Sequence, residues 1–384
     1  MIANKRIASS VMASMIVGLL VLGSALLLPV VAAHSEGGGD RASERGVRAV
    51  YTETNAAAGN AIIWYARSSD GRLTWKATVS AGGLGTGTGL GDQGALALGD
   101  ENGILLAVDA GSNELSVFRV TTGGLTRTDL VSSGGVLPVS VTIHDDWVYA
   151  VNAGGETPNI AGFHLDDAGT LSAIPGSVQT LTGSGPAQIS FTPDGRVLVV
   201  TEKATNSIDT FTVDEQGVAS AAISHTSSGA VPFGFAFDPE GRLVVSEAGG
   251  GPMGTSALSS YAVGLDGSLT TISASIPDFE FAACWVVITN DGQFAYTSNA
   301  HTPSNDLSRY AIGDRGRLAL DQEVAAKPGN GPTDMAISGN GRFLYVVASG
   351  DGAIAGFLIH EDGSLSPIST ISGLPASDAG LAAT

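Results

Sequence analysis

The sequence predicts an all-β chain folded as a seven-bladed β-propeller, with four antiparallel strands per blade and the ring closed by the C-terminal strand. Three observations carry this. A Gly followed within two residues by Leu or Val recurs at Gly71, Gly123, Gly169, Gly217, Gly267, Gly316 and Gly363, at intervals of 46 to 52 residues, and self-similarity at such a period marks a repeat architecture. A second turn falls earlier in the units, at Asp194-Gly195, Glu240-Gly241, Asp291-Gly292 and Asn340-Gly341, with weaker versions at Asn102-Gly103 and Asp145-Asp146. Asp-Gly and Asn-Gly supply the positive φ that tight hairpins demand. Between these turns run strands such as Ile208–Val213 and Leu258–Val263, which alternate apolar with polar residues, and helical periodicity is absent.

The elements follow in order. Residues 1–33 read as a secretory signal: Lys5 and Arg6 are basic, Ile16 to Val31 is almost wholly apolar, and Val31-Ala32-Ala33 offers small residues for cleavage. A retained membrane anchor is the alternative; Pro29 and the Val-Ala-Ala ending favour cleavage. On either reading the folded part is secreted or extracytoplasmic. Residues 34–45, rich in Gly, Ser and charge, read as a disordered lead-in, and residues 46–384 as the propeller. Its first unit starts at a second strand, Val47–Thr52, with no first strand before it. The clearest unit has strands at Ala187–Thr192, Val197–Thr201, Ser207–Val213 and Val218–His225. The C-terminal Gly380-Leu-Ala-Ala-Thr384 matches a first strand and would complete the first blade.

Charged residues make up 14% of the chain and the formal charge is −19, or about −21 once Lys5 and Arg6 leave with the signal. Such a surface repels nucleic acid and anionic membrane. Cys284 is the single cysteine, so no intramolecular disulfide forms, and its apolar run Phe281–Ile288 marks it as a packed hydrophobe. A monomer is expected, with a small-molecule substrate or a surface ligand as partner.

In a four-stranded blade both glycine turns lie on one face of the disc. The opposite face carries the blade-to-blade links and the loops after the second strands, which vary, and function concentrates in variable loops on rigid scaffolds. There the second strands end at Glu53, Asp109, Asn152, Glu202, Glu247, Asn299 and Ser349. The blade-entry segments add Gln93, Ser140, Gln188, Phe233, Trp285 and Asp334, and the loop after Glu202 adds Lys203 and Asn206. His301 and His225 reach this face, whereas His144 and His360 fall on the other. Two readings stay open for this polar funnel. Its residues hold water in the channel, or they form a site.

The second reading centres on Glu202 and Glu247, at equivalent places in adjacent blades and bordered by the glycine-rich Gly183–Pro186 and Gly249–Pro252. Closely spaced carboxylates push their pKa values apart and serve as acid and base. With Asn152 and Asn299 they also suit a divalent cation such as calcium or magnesium, although the sequence requires no cofactor. No cluster of His and Cys suggests a transition metal. Gln188, Asn152, Asn299, Lys203, Asn206, Phe233, Trp285 and His301 would then bind substrate.

At Ser190-Phe-Thr-Pro-Asp-Gly-Arg-Val-Leu-Val-Val-Thr-Glu202, Phe237-Asp-Pro-Glu-Gly-Arg-Leu-Val-Val-Ser246 and Ile337-Ser-Gly-Asn-Gly-Arg-Phe-Leu-Tyr-Val346 the units resemble the lactonase family of seven-bladed propellers. That family includes propeller-type 6-phosphogluconolactonases and carboxymuconate-lactonizing enzymes. The resemblance implies opening or closure of a small-ring ester, with an acidic residue after the second strand of a central blade, matched by Glu202, near a histidine on the preceding innermost strand. That histidine position falls near Ala187, where this chain has no imidazole, and the arginines that hold anionic substrates find no match. A secreted lactonase-like hydrolase is thus one expectation. A noncatalytic propeller binding a glycan, peptide or surface partner through the same face is the other.

Overall fold

The computed structural model describes residues 47–99, 103–251 and 253–384. The expected signal, the lead-in and Asn102 of the Asn102-Gly103 turn lie outside them. Seven antiparallel sheets succeed one another along the chain, six of four strands and one, the third, of five. The extra strand arises because the outer edge of blade 3 is split into Leu171–Ala173 and Gln179–Thr180. Innermost strands are Leu96–Leu98, Pro138–His144, Pro186–Phe191, Pro232–Phe237, Ala283–Ile288 and Pro332–Ile337 for blades 2 to 7, and Ala379–Ala383 for blade 1. Among the described residues two 3-10 turns, Asp314–Gly316 and Ser349–Asp351, interrupt the sheet pattern. Among the described residues no helix is long and apolar enough to cross a membrane.

Closure follows the sequence expectation. Blade 1 is built in the order Ala379–Ala383, Ala49–Glu53, Ala61–Arg67, Leu73–Ser80, with Tyr51 opposite Ala382. The Ala49 N–H donates to Thr384 Oγ1 at 2.8 Å, and Arg67 Nη2 donates to the Thr384 carbonyl at 2.9 Å. Blade 4 is also close to expectation except at its edge, where the last strand begins at Ile223 rather than Val218. Ser220 Oγ accepts the Thr212 N–H and Val213 bridges Ala219, so residues 219–222 leave the ladder before it resumes.

The structure explains why a glycine recurs. Six of the seven repeat glycines have φ between +73° and +84°, a region only glycine enters freely. Each carbonyl of these six accepts a hydroxyl from the preceding blade: Tyr345 on Gly71, Thr128 on Gly169, Tyr149 on Gly217, Thr210 on Gly267, Ser260 on Gly316 and Tyr296 on Gly363, at 2.6–2.8 Å. The repeat is therefore the clasp between blades as well as a hairpin turn. Gly123 is the exception. Among the described residues no hydroxyl of blade 1 reaches its carbonyl, and the neighbouring Gly124 packs on Trp64 instead.

Apolar layers fill the wedges between sheets, for example Leu106, Val117, Val148 and Phe163 between blades 2 and 3, and Val199, Phe235, Val245 and Tyr261 between blades 4 and 5. Cys284 is 4% exposed in such a layer, and burial pushes its thiol up to about 12. It behaves as the inert small hydrophobe the sequence suggested.

Candidate site at the channel mouth

Glu202 and Glu247, expected to converge at the mouth, are instead 0% and 1% exposed, and each is bound within its own blade. Glu202 accepts the Gly183 N–H at 3.1 Å and the Ser207 hydroxyl at 2.7 Å. Glu247 accepts the Gly229 N–H at 2.8 Å and the hydroxyls of Ser259 and Ser275. They share no partner. Burial raises both carboxyls above the ordinary range, and neither charge acts on the other. A Cβ on Gly183 or Gly229 would overlap the carboxylate oxygen, so these glycines provide room for a structural latch rather than a flexible site loop. A linker glycine makes the same close approach at Asp109, with Gly83, and at Asn152, with Gly135.

Asn152 and Asn299 are likewise fully buried. The Asn152 amide donates to the Ser133 carbonyl at 3.1 Å and to Asn159, and that of Asn299 donates to Asp306 and Ser308 at 2.8 Å. The carboxylate and amide set considered for calcium or magnesium is thus dispersed over separate blades. Among the described residues no group of three or more His, Cys, Asp or Glu is arranged to hold a metal ion. Asn206 also serves the ring: its Oδ1 accepts the Val231 N–H at 2.7 Å, as Asn113 does for Leu137 and Asn305 for Gly331. His225 is drawn into the clasp at Thr210 and Gly267. His301 lies exposed on its loop, edge-on to Phe281 at 5.8 Å.

Lys203, Phe233 and Trp285 do meet at the mouth. Lys203 Nζ lies 4.7 Å from the Phe233 ring centroid, and the Phe233 and Trp285 rings are 5.1 Å apart. The sequence did not suggest what holds them. The link from blade 1 to blade 2 dips to the channel axis, where Lys203 Nζ pairs with the Asp92 carboxylate and donates to the Gly91 carbonyl at 3.0 Å. Trp285 Nε1 donates to the Asp92 carbonyl at 3.2 Å, and the Gln93 N–H to the Ala187 carbonyl at 3.0 Å. Burial lifts Asp92 to about 7 although Lys203 opposes it.

Between this link and the ring wall lies a cavity of about 70 Å³, lined by Gly91, Asp92, Trp285, Thr333, Asp334 and Asp378 among others. Asp378 stands just before the closing strand and is 5% exposed, with neither carboxylate oxygen partnered. Burial raises it to about 6. Asp334, raised by burial to about 7, accepts the Leu381 N–H at 3.1 Å. Groups poised near neutrality in one cavity are the electrostatic signature of acid–base chemistry. Reading Asp378 from sequence requires first seating the C-terminal strand in blade 1, because only that placement carries the preceding residue to the mouth. Roomier clefts, such as one of about 560 Å³ beside Asp145 and Asp166, open between hairpins on the opposite face. Among the described residues their lining acids are exposed, as Asp145 and Asp166 are.

No curated protein sequence is similar to the chain. Among solved structures, a Lactobacillus plantarum protein superposes with a TM-score of 0.71 at 18% identity, over 87% of this chain and 98% of that one. The periplasmic gluconolactonase of Pseudomonas aeruginosa superposes with a TM-score of 0.69 at 16% identity, over 87% of this chain and 98% of that one. At these identities the likeness speaks for the fold. The family described as lactonase, 7-bladed beta-propeller matches residues 156–249 and 262–378, more than half of the chain and most of the blades built above. The chain belongs to the seven-bladed β-propeller lactonase family.

Proposed function

We propose that the chain is an exported lactonase-type hydrolase that opens an uncharged small-ring ester at the channel mouth. The observation that carries the reading is Asp378: a buried, unpartnered carboxyl facing a water-sized cavity, held by burial at about 6. As carboxylate it takes a proton from water, whose oxygen attacks the ring carbonyl. When the ring C–O bond breaks, the same proton passes to the departing oxygen and leaves a hydroxy acid. Lys203, which reaches Gly91 and Asp92 at the cavity's edge, supplies the positive charge for the developing oxyanion. Family membership supports the reaction class, and the apolar run at residues 16–31 supports export.

An uncharged substrate fits the electrostatics. Asp334 and Asp378 line the cavity from the wall, two acids against the one Lys203 even when Asp92 is drawn away, so a phosphate or polycarboxylate would meet net repulsion. The test is a panel of neutral and anionic lactones offered to the wild type and to Asp378→Asn. Neutral lactones should be hydrolysed with kcat/KM falling below about pH 6, and the variant should lose 10²-fold or more of that rate, on the order of general-base catalysis. Equal rates in the two proteins would remove Asp378 from the mechanism. The filled mouth favours a second reading, a noncatalytic propeller that holds a glycan, peptide or surface partner on this face. Under it neither protein hydrolyses any member of the panel.

A further inference from the structure

The innermost strands are stitched by side chains, and one stitch comes from the wrong place. Ser140 Oγ of blade 3 accepts the Ile189 N–H of blade 4 at 3.2 Å. Gln188 of blade 4 clasps Phe235 of blade 5 in both directions, its Oε1 accepting the N–H at 2.7 Å and its Nε2 donating to the carbonyl at 3.0 Å. Blade 5 has Gly234 at the corresponding position, with no side chain to offer blade 6. Gln93 does the work instead: its Oε1 accepts the Val286 N–H at 3.1 Å and its Nε2 donates to the Val286 carbonyl at 2.9 Å. A Cβ on Gly234 would overlap the Gln93 amide, so the missing side chain is the seat for one that arrives from across the channel.

The link that carries Gln93 is pinned and free in turn. Thr86 and Thr88 are tied to Asn55, and the Gly111 N–H holds the Leu84 carbonyl. From Gly89 to Gly94 the contacts are those with the channel wall. Gly89 and Gly91 have open space where a Cβ would stand, and Gly91 and Gly94 have φ of +66° and +83°. Glycines at both ends supply the rotational freedom a hinge needs. The innermost strand that follows has three residues, Leu96–Leu98, against five to seven in the other blades, because the chain reaches the axis before it joins the sheet.

A cavity of about 70 Å³ has room for about two waters, not for a lactone. We infer that Gly89–Gly94 is a displaceable plug, with Gln93 keyed into the seat left by Gly234 and Asp92 clamped by Lys203, and that it swings out about its glycines to admit substrate. Withdrawal frees Lys203, the Phe233 and Trp285 rings and the space of two side chains in one movement. The gating role rests on placing the reaction at the mouth. The movement does not.

Cys284 reports the movement, because it lies beside the seat and feels the charges of both Lys203 and Asp92. The native full-length chain is exposed to a chromogenic disulfide reagent and the labelling rate followed against urea. A displaceable plug gives labelling with a weak urea dependence, the mark of local opening; labelling as steep as global unfolding overturns the inference. Gln93→Ala should label about ten-fold faster or more, with the urea dependence still weak and the melt lowered by only about 3 °C, since a two-bond clasp is lost, and an unchanged rate overturns it as well. If labelling behaves as expected while no lactone is hydrolysed, the moving plug stands and the lactonase reading falls.

Discussion

Removing residues 379–384 tests the closure of the ring quantitatively. The segment takes part in six hydrogen bonds beyond the regular ladder: Ala49 to Thr384 Oγ1, Thr384 to Ala49, Thr384 Oγ1 to the Val47 carbonyl, Arg67 to the Thr384 carbonyl, Thr52 Oγ1 to the Ala379 carbonyl and Leu381 to Asp334. At about 1 kcal/mol net each these amount to about 6 kcal/mol. Leu381 is 6% exposed against Val50, Ala336 and Tyr345, and uncovering it costs about 2 kcal/mol more. A total of about 8 kcal/mol is a large part of the 5–15 kcal/mol that holds a typical domain. With an unfolding entropy of about 0.7 kcal/mol per kelvin for a chain this long, the truncated protein should melt about 10 °C lower. Deleting Thr384 alone removes four of the bonds and should lower the melt by about 6 °C. Scanning calorimetry of the three proteins gives the comparison. A shift under about 3 °C for the full truncation would refute the view that the terminal strand fastens the disc.

Two further outcomes follow from the latches and the buried carboxyls. Gly183→Ala places a methyl against the Glu202 carboxylate and the Thr205 hydroxyl; it should destabilise by about 2 kcal/mol, as overpacking does, and an unaltered denaturation midpoint would show that the Glu202 latch is loose. Asp92 and Asp334, raised to about 7, and Asp109, Asp306 and Asp378, raised to about 6, bind protons in the folded state that the unfolded chain releases near pH 4. Their contribution is complete below pH 4 and is lost as pH rises through 6 and 7. The melting temperature should therefore be higher at pH 5 than at pH 8, by on the order of 5 °C; a flat or rising profile would contradict the raised values.

What was legible in the sequence is what repeats. The blade count, the face on which loops gather and the terminal closure all come from spacing, and Lys203, Phe233 and Trp285 do meet at the mouth. Glu202 and Glu247 misled because a carboxylate beside glycines looks like a site. Yet Asp109, Asn152, Glu202 and Glu247 all stand opposite a linker glycine, so the pattern was itself a repeat and hence structural. Asn206 carries the same lesson: Ser112-Asn113, Thr205-Asn206 and Ser304-Asn305 each precede a third strand, and each asparagine caps the next blade. Asp92 and Asp378 were hidden for a different reason, as was what Gln93 reaches. The partners of Asp92 and Gln93 lie 111 and 193 residues away, Asp378 comes to the mouth only with the closing strand, and only the closed disc brings the first link against the fourth to sixth blades.

An odd ring cannot alternate its joints evenly. Asparagines standing just before a third strand fasten blades 2 to 3, 4 to 5 and 6 to 7, so the joints from 7 to 1 and from 1 to 2 are left as neighbours without one of that kind among the described residues, and at the second Asn55 ties the link instead. The first is secured by the terminal strand. The second, which also lacks the hydroxyl on its repeat glycine, is held by the Asn60 amide, whose Nδ2 donates to Glu53 at 2.9 Å and to Asp109 at 3.0 Å. Burial lifts both of those acids, Glu53 well above its ordinary range and Asp109 to about 6. The disc thus has a seam one blade away from where its ends meet, fastened by two buried acids around one amide, and the plug hangs from that seam.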